Sequence, residues 1–292
     1  MAYVMRTINP LAGRMAVSLY RVAFRLFYGR RVQSWSWVSR AHRLASRMAG
    51  QGSDTLTVDF HGSLVSVPAA DRSMALALVS GNYERLVVAS VQALVEPGSA
   101  FLDVGANIGL YSTLASRLAG QSGSVVSVEP VAETREWLSR NLTQNGCSNV
   151  DVFGVAAGDS DGVLRLGRVA GELGTSSAHE IGDSFEDVEV RRLDDLLPGR
   201  SFSLIKMDVE GHELAALRGM PRILTTGDPV LILEYSNNTY AAELREFLRR
   251  HFPYLWLVDE RRHRIVPVEA GDLVRLRRAN VVASRRLLRL PR

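Results

Sequence analysis

Acidic side chains surround a histidine in one short stretch of the chain, Lys206-Met-Asp-Val-Glu-Gly-His-Glu213. The apolar run from Phe202 to Met207 predicts a central strand, so Asp208 would lie at its carboxyl end, where open α/β sheets bind ligands. Glu210 and His212 follow on the turn into a helix. Three carboxylates around one imidazole favour the protonated histidine. Such groups can orient an acceptor and remove its proton, which makes Asp208, His212 and Glu210 the predicted catalytic residues.

The same residue types are also common at the start of a helix. Asp208 could cap the helix that follows, and Glu210 could favour the positive end of its dipole. His212 could be a surface hydrogen-bonding group. This stretch alone leaves both interpretations open.

A glycine turn lies further upstream, in Asp103-Val-Gly-Ala-Asn-Ile-Gly109. It follows the apolar residues Ala100 to Leu102 and precedes a helical pattern from Leu110 to Leu118, so it predicts a strand, a tight turn and a helix. Glycine in the turn permits positive φ and a close approach by a ligand. The spacing differs from the dinucleotide fingerprint G-x-G-x-x-G, which argues against a nicotinamide or flavin cofactor.

Two further strands end in residues that suit a nucleoside. Ser124 to Val128 predicts a strand that ends at Glu129, about 20 residues beyond the turn, where a carboxylate can bind ribose hydroxyls. Pro130 then stops this strand. Val150 to Val155 predicts the next strand, and the turn Gly158-Asp-Ser-Asp-Gly162 after it could border an adenine ring.

Together with Gly81-Asn-Tyr-Glu84 ahead of the glycine turn, these motifs resemble those of the S-adenosylmethionine-dependent methyltransferases of the FkbM family. The resemblance covers roughly residues 55–270. It implies a methionine and ribose site at Asp103, Gly105, Asn107 and Gly109, a ribose carboxylate at Glu129, and an adenine edge at Ala156 and Asp159. The full set of cofactor-binding residues that it implies is Glu84, Asp103, Gly105, Ala106, Asn107, Gly109, Glu129, Pro130, Ala156 and Asp159.

The same resemblance implies the activity, which is methylation of a hydroxyl on a sugar, glycolipid or polyketide-like metabolite with S-adenosylmethionine as cofactor. The alternative is a noncatalytic nucleotide-binding or scaffold protein that keeps the methyltransferase fold and docks through its basic termini. The acids at Asp103, Glu129, Asp208 and Glu210 are all present, and this favours catalysis. The acceptor is expected to be a small molecule, a glycan or a glycolipid.

A Mg²⁺ site is allowed by the sequence but is not required by it. Glu234 ends the apolar run Pro229 to Leu233 and, with Asp208 and Asn237, could supply oxygen ligands to a hard cation. The same carboxylate could instead bond the substrate or the backbone. Paired cysteines and H-x-x-x-H spacing do not occur, which argues against structural zinc.

Strands and helices alternate from about Ser99 to Phe252, which predicts an α/β fold. By resemblance it is a class I methyltransferase fold, Rossmann-like, with a mostly parallel seven-stranded sheet and helices on both faces. Its closing strands are expected at 254–258 and 279–283, with a polar turn at 259–264 between them, and by resemblance the last strand is antiparallel. Thr55 to Pro68 alternates around Gly62 and predicts a hairpin. Residues 167–188 are expected to form an irregular lid or acceptor-binding loop.

Three segments are predicted. Residues 1–53 form a basic amphipathic helical extension, residues 54–75 a β-hairpin lead-in, and residues 76–292 the methyltransferase domain.

Charge is distributed unevenly along the chain. Residues 1–53 contain nine Arg and no acid, residues 273–292 contain seven Arg and no acid, and 19 basic and 31 acidic residues lie between them. Arg14, Ser18, Arg21 and Arg25 recur at helical spacing among apolar residues, a pattern typical of a helix in an anionic membrane surface. A helix packed on a protein surface would show the same pattern. Nucleic acid is not expected as a partner, because the predicted catalytic stretch is acidic.

The compartment predicted from sequence is the cytoplasm, with peripheral association at the inner face of the membrane through residues 1–53. Cys147 is the only cysteine and cannot form an internal disulfide. We recognise no secretory signal and no run of the ~20 apolar residues that a spanning helix needs. The sequence does not predict an oligomeric state.

Overall fold

The computed structural model describes residues 55–69, 71, 74–81, 83–169, 173, 176–177 and 183–291. The predicted helical extension, residues 1–53, lies outside this range, and its membrane contact therefore stays a prediction. None of the helices in the described ranges has the length and apolar character needed to cross a bilayer.

The centre of the fold is an eight-stranded sheet. Its strands are β3 (Ala100–Val104), β4 (Ser124–Val128), β5 (Val150–Phe153), β10 (Leu204–Met207), β11 (Val230–Ser236), β12 (Tyr254–Asp259), β13 (Arg264–Val268) and β14 (Arg278–Ser284). They lie in the order β13-β12-β14-β11-β10-β3-β4-β5. The five strands from β11 to β5 are parallel, whereas β14 is antiparallel to both β11 and β12. The predicted Rossmann-like α/β sheet, including its antiparallel closing strand, is confirmed.

The sheet has eight strands and not the predicted seven, because β13 is an additional strand. This strand pairs antiparallel with β12, at the edge of the sheet. It is only five residues long and contains Pro267, a residue that argues against a central strand but is tolerated at an edge. Its short polar pattern therefore gave no clear strand signal.

Two hydrophobic cores cover the two faces of the sheet because successive strand residues point to opposite sides. Leu204 and Ile232 join one core, and Ile205 and Leu231 join the other. The first core is covered by α1 (Met74–Ser80), α2 (Arg85–Leu94), α3 (Leu110–Ala119) and α4 (Ala132–Gln144). The second is covered by α5 (Leu193–Leu196), α6 (Glu213–Arg218), α7 (Pro221–Thr225), α8 (Ala241–His251) and a 3₁₀ helix (Ala270–Arg275).

The predicted hairpin is formed by β1 (Thr55–Phe60) and β2 (Ser63–Pro68), which pair antiparallel. Asn141 of α4 fixes it in place. Its side-chain oxygen accepts a hydrogen bond from the backbone N–H of Ser66 (2.7 Å), and its amide donates to the carbonyls of Ser66 (3.0 Å) and Ile108 (2.8 Å). The hairpin is thereby tied to the glycine turn. The division of the chain into three segments stays a prediction.

A second, smaller sheet lies where an irregular lid was expected. It consists of β6 (Ala156–Ala157), β7 (Gly162–Arg168), β8 (Ser176–Ser177) and β9 (Ser184–Arg191), in the order β6-β9-β7-β8. The expectation was wrong for the described ends of this region, because β7 and β9 pair antiparallel along seven residues each. Val188 and Val190 alternate with exposed acids in β9, a period of two that is typical of a half-buried strand.

Candidate active site

A cavity of about 360 Å³ lies across the carboxyl ends of five neighbouring strands, from β5 to β11. Strand ends and the turns after them form its floor. Leu164 and Leu166, on β7 of the smaller sheet, also line the cavity. Met74, Tyr83 and Leu173, which lie outside that sheet, complete this part of the lining. The sheet therefore brings together residues that are up to 174 positions apart in the sequence, from Val104 to Arg278.

The glycine turn after β3 contributes Gly105, Ala106 and Asn107 to the cavity, but Gly109 is not part of the lining. Both glycines have positive φ, as predicted (80° and 87°). At both glycines, the space that a Cβ would need is occupied by other atoms of the protein and not by a ligand. A Cβ on Gly105 would lie 1.9 Å from the Asp208 carbonyl oxygen, and one on Gly109 would lie 2.5 Å from Leu138. The glycines thus allow β3, β10 and α4 to pack closely beneath the cavity.

Glu129 lies at the end of β4 and is 6% exposed. Its two carboxylate oxygens accept hydrogen bonds from the backbone N–H groups of Asn107 (2.9 Å) and Val131 (3.0 Å). Burial raises the pKa of Glu129 to about 7, against the opposing effect of these bonds. Because a carboxylate oxygen has more than one lone pair, both oxygens can still accept a bond from a ligand in the cavity. Pro130 lines the cavity beside it.

The two residues predicted for the adenine edge are separated. Ala156 lines the cavity together with Val155 and Ala157. Asp159 is exposed and lies outside the lining, and its carboxylate accepts a hydrogen bond from Ser160 (3.2 Å). The cavity therefore has an apolar edge at Ala156. Asp159 does not lie at this edge.

Asp103 also lies beneath the cavity and not in its wall. It is 1% exposed, and its carboxylate accepts a hydrogen bond from the Ser112 hydroxyl (2.6 Å). Burial raises its pKa to about 6, although Lys206 and Ser112 oppose this. Asp103 therefore lies beneath the cavity, where its carboxylate interacts with Lys206 and with Ser112 of α3.

Glu84 lines the cavity from the residue before α2. Its carboxylate accepts hydrogen bonds from the Tyr111 hydroxyl (2.5 Å) and from the Asn280 amide (3.0 Å). It therefore links the start of α2 to α3 and β14 at the wall of the cavity.

The three predicted catalytic residues all line the cavity. Asp208 accepts a hydrogen bond from Lys206 Nζ (2.9 Å) through Oδ2, whereas its buried Oδ1 has no partner among the described residues. Both carboxylate oxygens of Glu210 accept from Arg278 Nη2 (3.0 and 3.1 Å). His212 is the N-cap residue of α6.

These contacts exclude Asp208 as the cap of α6. The cap position belongs to His212, and no side-chain capping bond is present there. Asp208 bonds to Lys206 and Glu210 bonds to Arg278, both within or beside the cavity. The two acids are therefore held by cations of the cavity wall.

Glu234 of β11 is a further carboxylate of the cavity wall, beside Asp208 and Glu210. It is 6% exposed, and its Oε1 lies 2.6 Å from Arg278 Nε. Oε2 is buried and has no partner among the described residues. Burial and then the nearby Asp208 raise the pKa of Glu234 to about 8, while Arg278 opposes the shift. The sequence singled out this residue as a candidate metal ligand, or as a group that bonds the substrate or the backbone.

A metal would compete with fixed cations at this position. Oxygens of Asp208, Glu210 and Glu234 lie within 4.8 Å of one another, and carboxylates of this kind suit a hard divalent ion. However, Arg278 already binds Glu210 and Glu234, and Lys206 binds Asp208. Asn237, the third ligand considered from sequence, does not line the cavity. The charges of these carboxylates are thus largely balanced by the protein.

Lys206 and Arg278 are the charged residues of the cavity wall to which the sequence analysis assigned no role. Lys206 is the only lysine in a chain with 34 arginines, and it is 2% exposed. Its ammonium lies 5.0 Å from the centre of the Tyr111 ring. Burial alone lowers the pKa of Lys206, but Asp208, Glu84 and Asp103 outweigh it and raise the pKa above its usual value. The occurrence of a single lysine in an arginine-rich chain is the sequence signal that could have identified it.

Backbone strain is present in the wall of the cavity. Three non-glycine residues there have left-handed φ angles, Glu84 (38°), Asn107 (51°) and Glu210 (49°). Such conformations cost about 1–3 kcal/mol each and tend to persist at functional sites. The other three such residues of the described ranges, His61, Asp228 and His263, lie outside the cavity.

Comparison with known families gives a match for the same region. A family model described as a methyltransferase FkbM domain matches residues 103–254, slightly more than half of the chain. The matched range contains the glycine turn, Glu129, Asp208 and Glu234. A comparison with curated protein sequences gave no match.

Several solved structures are similar to this chain at low sequence identity. A methyltransferase FkbM from Methylobacillus flagellatus KT is 18% identical, with 74% of this chain and 53% of that chain covered and a TM-score of 0.43. A SAM-dependent methyltransferase from Agrobacterium tumefaciens is 13% identical (80% and 71% covered, TM-score 0.45). A SAM-dependent O-methyltransferase from Thermotoga maritima is 15% identical (69% and 64% covered, TM-score 0.38). The present chain matches only about half the length of the first of these proteins.

Proposed function

The chain belongs to the FkbM family of S-adenosylmethionine-dependent methyltransferases, and from this membership we propose that it methylates a hydroxyl group of a sugar, glycolipid or polyketide-like metabolite. The observation that carries the proposal is the cavity across five parallel strand ends, which has a ribose-type carboxylate at one end and a carboxylate cluster at the other. Class I methyltransferases have this sheet, with one antiparallel strand near its edge.

The order of the strands suggests how the cofactor lies. Ala156 and Glu129 follow β5 and β4, Gly105 follows β3, Asp208 follows β10, and Glu234 lies in β11. Neighbouring strands are about 4.8 Å apart, so the ends of β4 and β11 are about 14 Å apart. With adenine at Ala156 and ribose at Glu129, the methionine portion and the sulfur would lie near Gly105 and Asp208. The acceptor would then lie towards β11.

When bound, S-adenosylmethionine supplies an activated methyl group on a positively charged sulfur. Transfer to an oxygen is an in-line displacement, so alignment of the two reactants supplies much of the rate enhancement, roughly 7 kcal/mol or more in favourable cases. Asp208, Glu210 and the glycine turn after β3 all line the same cavity. Such alignment needs the acceptor groups and the cofactor-binding turn to lie together in this way.

Unused oxygen atoms favour a hydroxyl acceptor. Asp208 Oδ1 and Glu234 Oε2 are buried acceptors without a partner among the described residues. Buried polar atoms are nearly always hydrogen-bonded in folded proteins, so a ligand that donates O–H bonds would satisfy them. Asp208 is positioned to orient the acceptor and to accept its proton, with Glu210 and His212 beside it.

Membrane contact is the second part of the proposal. Residues 1–53 carry nine arginines and no acid. A basic amphipathic helix there would hold the enzyme at an anionic surface, which suits a glycolipid acceptor.

Calorimetric binding of S-adenosylmethionine and S-adenosylhomocysteine tests the cofactor assignment, with NAD and ATP as controls and with and without Mg²⁺. We expect selective micromolar binding of the two sulfur nucleosides, about −8 kcal/mol, that does not depend on Mg²⁺. A folded protein that binds neither of them would contradict the proposed function.

A further inference from the structure

An arginine outside the cavity holds the turn that follows β4. Arg135 lies near the start of α4, and its Nη1 donates hydrogen bonds to the carbonyl oxygens of Glu129 (3.0 Å) and Pro130 (2.6 Å). Among the described residues, these are the hydrogen bonds that its side chain makes. Arg135 does not line the cavity. Its guanidinium therefore acts on the backbone of two residues that do.

The same guanidinium lies flat over Gly154, the residue after β5. A Cβ added to Gly154 would lie 2.8 Å from Cζ, 3.0 Å from Nε and 3.1 Å from Nη2 of Arg135. Three nearly equal distances place the added atom over the plane of the group. Gly154 directly precedes Val155 and Ala156, which form the apolar edge of the cavity. One side chain therefore contacts both the turn after β4 and the segment that leads to the proposed adenine edge.

The backbone of Glu129 is hydrogen-bonded on both sides. Its N–H donates to the carbonyl oxygen of Phe153 (3.0 Å), and its own carbonyl oxygen accepts from Arg135. The side-chain conformations that a residue can adopt depend on its backbone dihedral angles. These two bonds therefore restrict where the Glu129 carboxylate points. The carboxylate in turn accepts the N–H groups of Asn107 and Val131.

The charge of Arg135 also acts on the carboxyl group of Glu129. Burial raises the pKa of Glu129 to about 7, whereas the bonds from Val131 and Asn107 and the charge of Arg135 oppose this shift. The ionised form is the better acceptor for hydroxyl groups, because hydrogen bonds with a charged partner are shorter and stronger. Arginine suits this position, since its planar group stays charged and can donate at its edge while its face packs on the backbone.

We propose that Arg135 is a positioning residue for cofactor recognition, which holds the Glu129 turn and the Gly154 segment in the arrangement that distinguishes ribose from deoxyribose. This inference rests on the proposed function, which places ribose at Glu129 and adenine at Ala156. Arg135 acts through these residues and does not touch the ligand. Its loss should therefore reduce the contribution of the ribose hydroxyls to binding.

The test is calorimetric binding of S-adenosylhomocysteine and of its dideoxy analogue, which lacks both ribose hydroxyls. The ratio of the two dissociation constants measures recognition of the hydroxyls, because the ligands are otherwise identical. Hydrogen bonds to a charged acceptor contribute enough to predict a preference for the ribose form of roughly 10- to 100-fold in the wild-type protein. We expect Arg135→Gln to lower this preference by about tenfold.

Two further variants separate positioning from folding. Arg135→Lys keeps the positive charge and can donate to the same carbonyls, so it should recover part of the preference. Gly154→Ala keeps Arg135 but places a methyl group 2.8 Å from its Cζ. The end of a flexible side chain can move away from this methyl group while the protein stays folded. Gly154→Ala should therefore lower the preference in the same direction as Arg135→Gln.

Arg140→Gln is the matched control. Arg140 is exposed on the same helix, and its guanidinium lies over the ring of Trp137, 4.7 Å from the ring centre. The variant has the same charge change as Arg135→Gln, and it should keep the wild-type preference for ribose.

An unchanged preference in Arg135→Gln would overturn the inference, even if the affinities for both ligands fell together, because Arg135 would then have only a structural role. A wild-type protein that binds S-adenosylhomocysteine without any preference over the dideoxy analogue would overturn it as well. That result would remove Glu129 from the ribose site but leave the cofactor assignment intact. Absence of S-adenosylhomocysteine binding would contradict the proposed function itself and this inference with it.

Discussion

Glu129 illustrates how one carboxylate can organise a loop and still face a ligand. Its two oxygens hold the backbone N–H groups of Asn107 and Val131, so the glycine turn and the start of α4 depend on the same side chain that we assign to ribose. The position of this residue was predictable from the sequence, because a carboxylate at the end of the second strand is a recurrent feature of nucleoside sites. Its second role, which is to hold the loop through hydrogen bonds from backbone N–H groups, was not predictable from the sequence.

Replacement of Glu129 by alanine should weaken cofactor binding. Hydrogen bonds to a charged group contribute about 1.5–3 kcal/mol, so we expect the dissociation constant for S-adenosylhomocysteine to rise by roughly 10- to 100-fold. Calorimetry measures this directly. Glu136→Gln, on the exposed side of α4, is the control. An unchanged dissociation constant in Glu129→Ala would remove the residue from the ribose site.

Replacement of Asp208 by asparagine should affect turnover more than binding. The amide keeps the shape of the side chain but cannot accept the acceptor's proton, and loss of such a group costs about 10²- to 10⁴-fold in rate. Transfer of labelled methyl to the acceptor gives the turnover, and calorimetry gives the cofactor affinity, which should change little. Asp187→Asn, exposed on β9, controls for a general effect of lost charge. Retention of wild-type turnover would exclude Asp208 from the mechanism.

The raised pKa of Glu234 predicts how stability depends on pH in the protein without cofactor. The carboxyl titrates near 4.5 in the unfolded chain and at about 8 in the fold. Between these values the fold binds a proton that the unfolded chain does not, so its stabilising contribution is complete below pH 4.5 and is lost as the pH rises through 8. The loss is at most about 1.4 kcal/mol per pH unit.

Urea unfolding at pH 5 and pH 8 measures this effect. The decline in the free energy of unfolding should be smaller in Glu234→Gln than in the wild-type protein. Some decline should remain, because the pKa values of Glu129 and Asp103 are also raised, to about 7 and 6. Identical declines in the two proteins would show that Glu234 is not neutral in the fold.

Lys206 and Arg278 show why sequence alone identified only part of the charged cluster. Asp208, Glu210 and His212 lie within five residues of one another, and their chemistry was evident from local spacing. Arg278 lies 44 residues beyond Glu234 in the sequence and meets it only because β14 inserts antiparallel beside β11. Lys206 lies inside an apolar strand, where its role depends on side chains from β3 and α3.

At the scale of elements, the glycine turn after β3 is fixed by packing against the neighbouring strand. Gly105→Ala would place a methyl group 1.9 Å from the Asp208 carbonyl oxygen at a φ of 80°. The methyl group is attached to the backbone that follows β3, and the oxygen belongs to the backbone that follows β10. Because both segments continue central strands, neither can move without a large cost. We expect a loss of about 3 kcal/mol or more in the free energy of unfolding, as for other strained and overpacked substitutions.

The matched control is Gly146→Ala, two residues after the end of α4. Gly146 has a similar φ of 63°, but no atom lies within 4 Å of the added methyl position. It should lose only the cost of the left-handed conformation, about 1 kcal/mol. Denaturant unfolding compares the two, and an equal loss in both would contradict the close approach of the β3 and β10 turns.

The smaller sheet shows the limit of sequence reasoning for elements. The central strands were predictable because long apolar runs can only be buried on both faces of a sheet. Residues 167–188 contain glycine, serine and acids, which gave the appearance of an irregular loop. The pairing of β7 with β9 joins two strands that are separated by residues 169–183, and Leu164 and Leu166 reach the cavity through this pairing.

At the scale of the whole molecule, the uneven charge suggests attachment to a surface. The described part carries the acidic site, and the arginine-rich residues 1–53 precede it in the chain. We expect the full chain to bind vesicles that contain anionic phosphatidylglycerol and to be released by salt, because each arginine near such a surface contributes about 1 kcal/mol.

Cosedimentation with these vesicles tests the contribution of Arg14, Arg21 and Arg25. Their joint replacement by glutamine should weaken binding by roughly 100-fold. Joint replacement of Arg261, Arg262 and Arg264, on and beside the exposed turn between β12 and β13, is a control with the same charge change. Equal weakening in both variants would indicate general charge attraction and not a membrane-binding N-terminal helix.

The most direct test of the whole account is a crystal structure of the protein with S-adenosylhomocysteine. We predict that the ribose hydroxyls lie within hydrogen-bonding distance of Glu129, that the adenine packs against Ala156, and that the sulfur lies beside Gly105 and Asp208 with Glu234 beyond it. A nucleoside bound outside the cavity, or one that places its sulfur away from Asp208 and Glu234, would contradict the proposed methyl transfer at the carboxylate cluster.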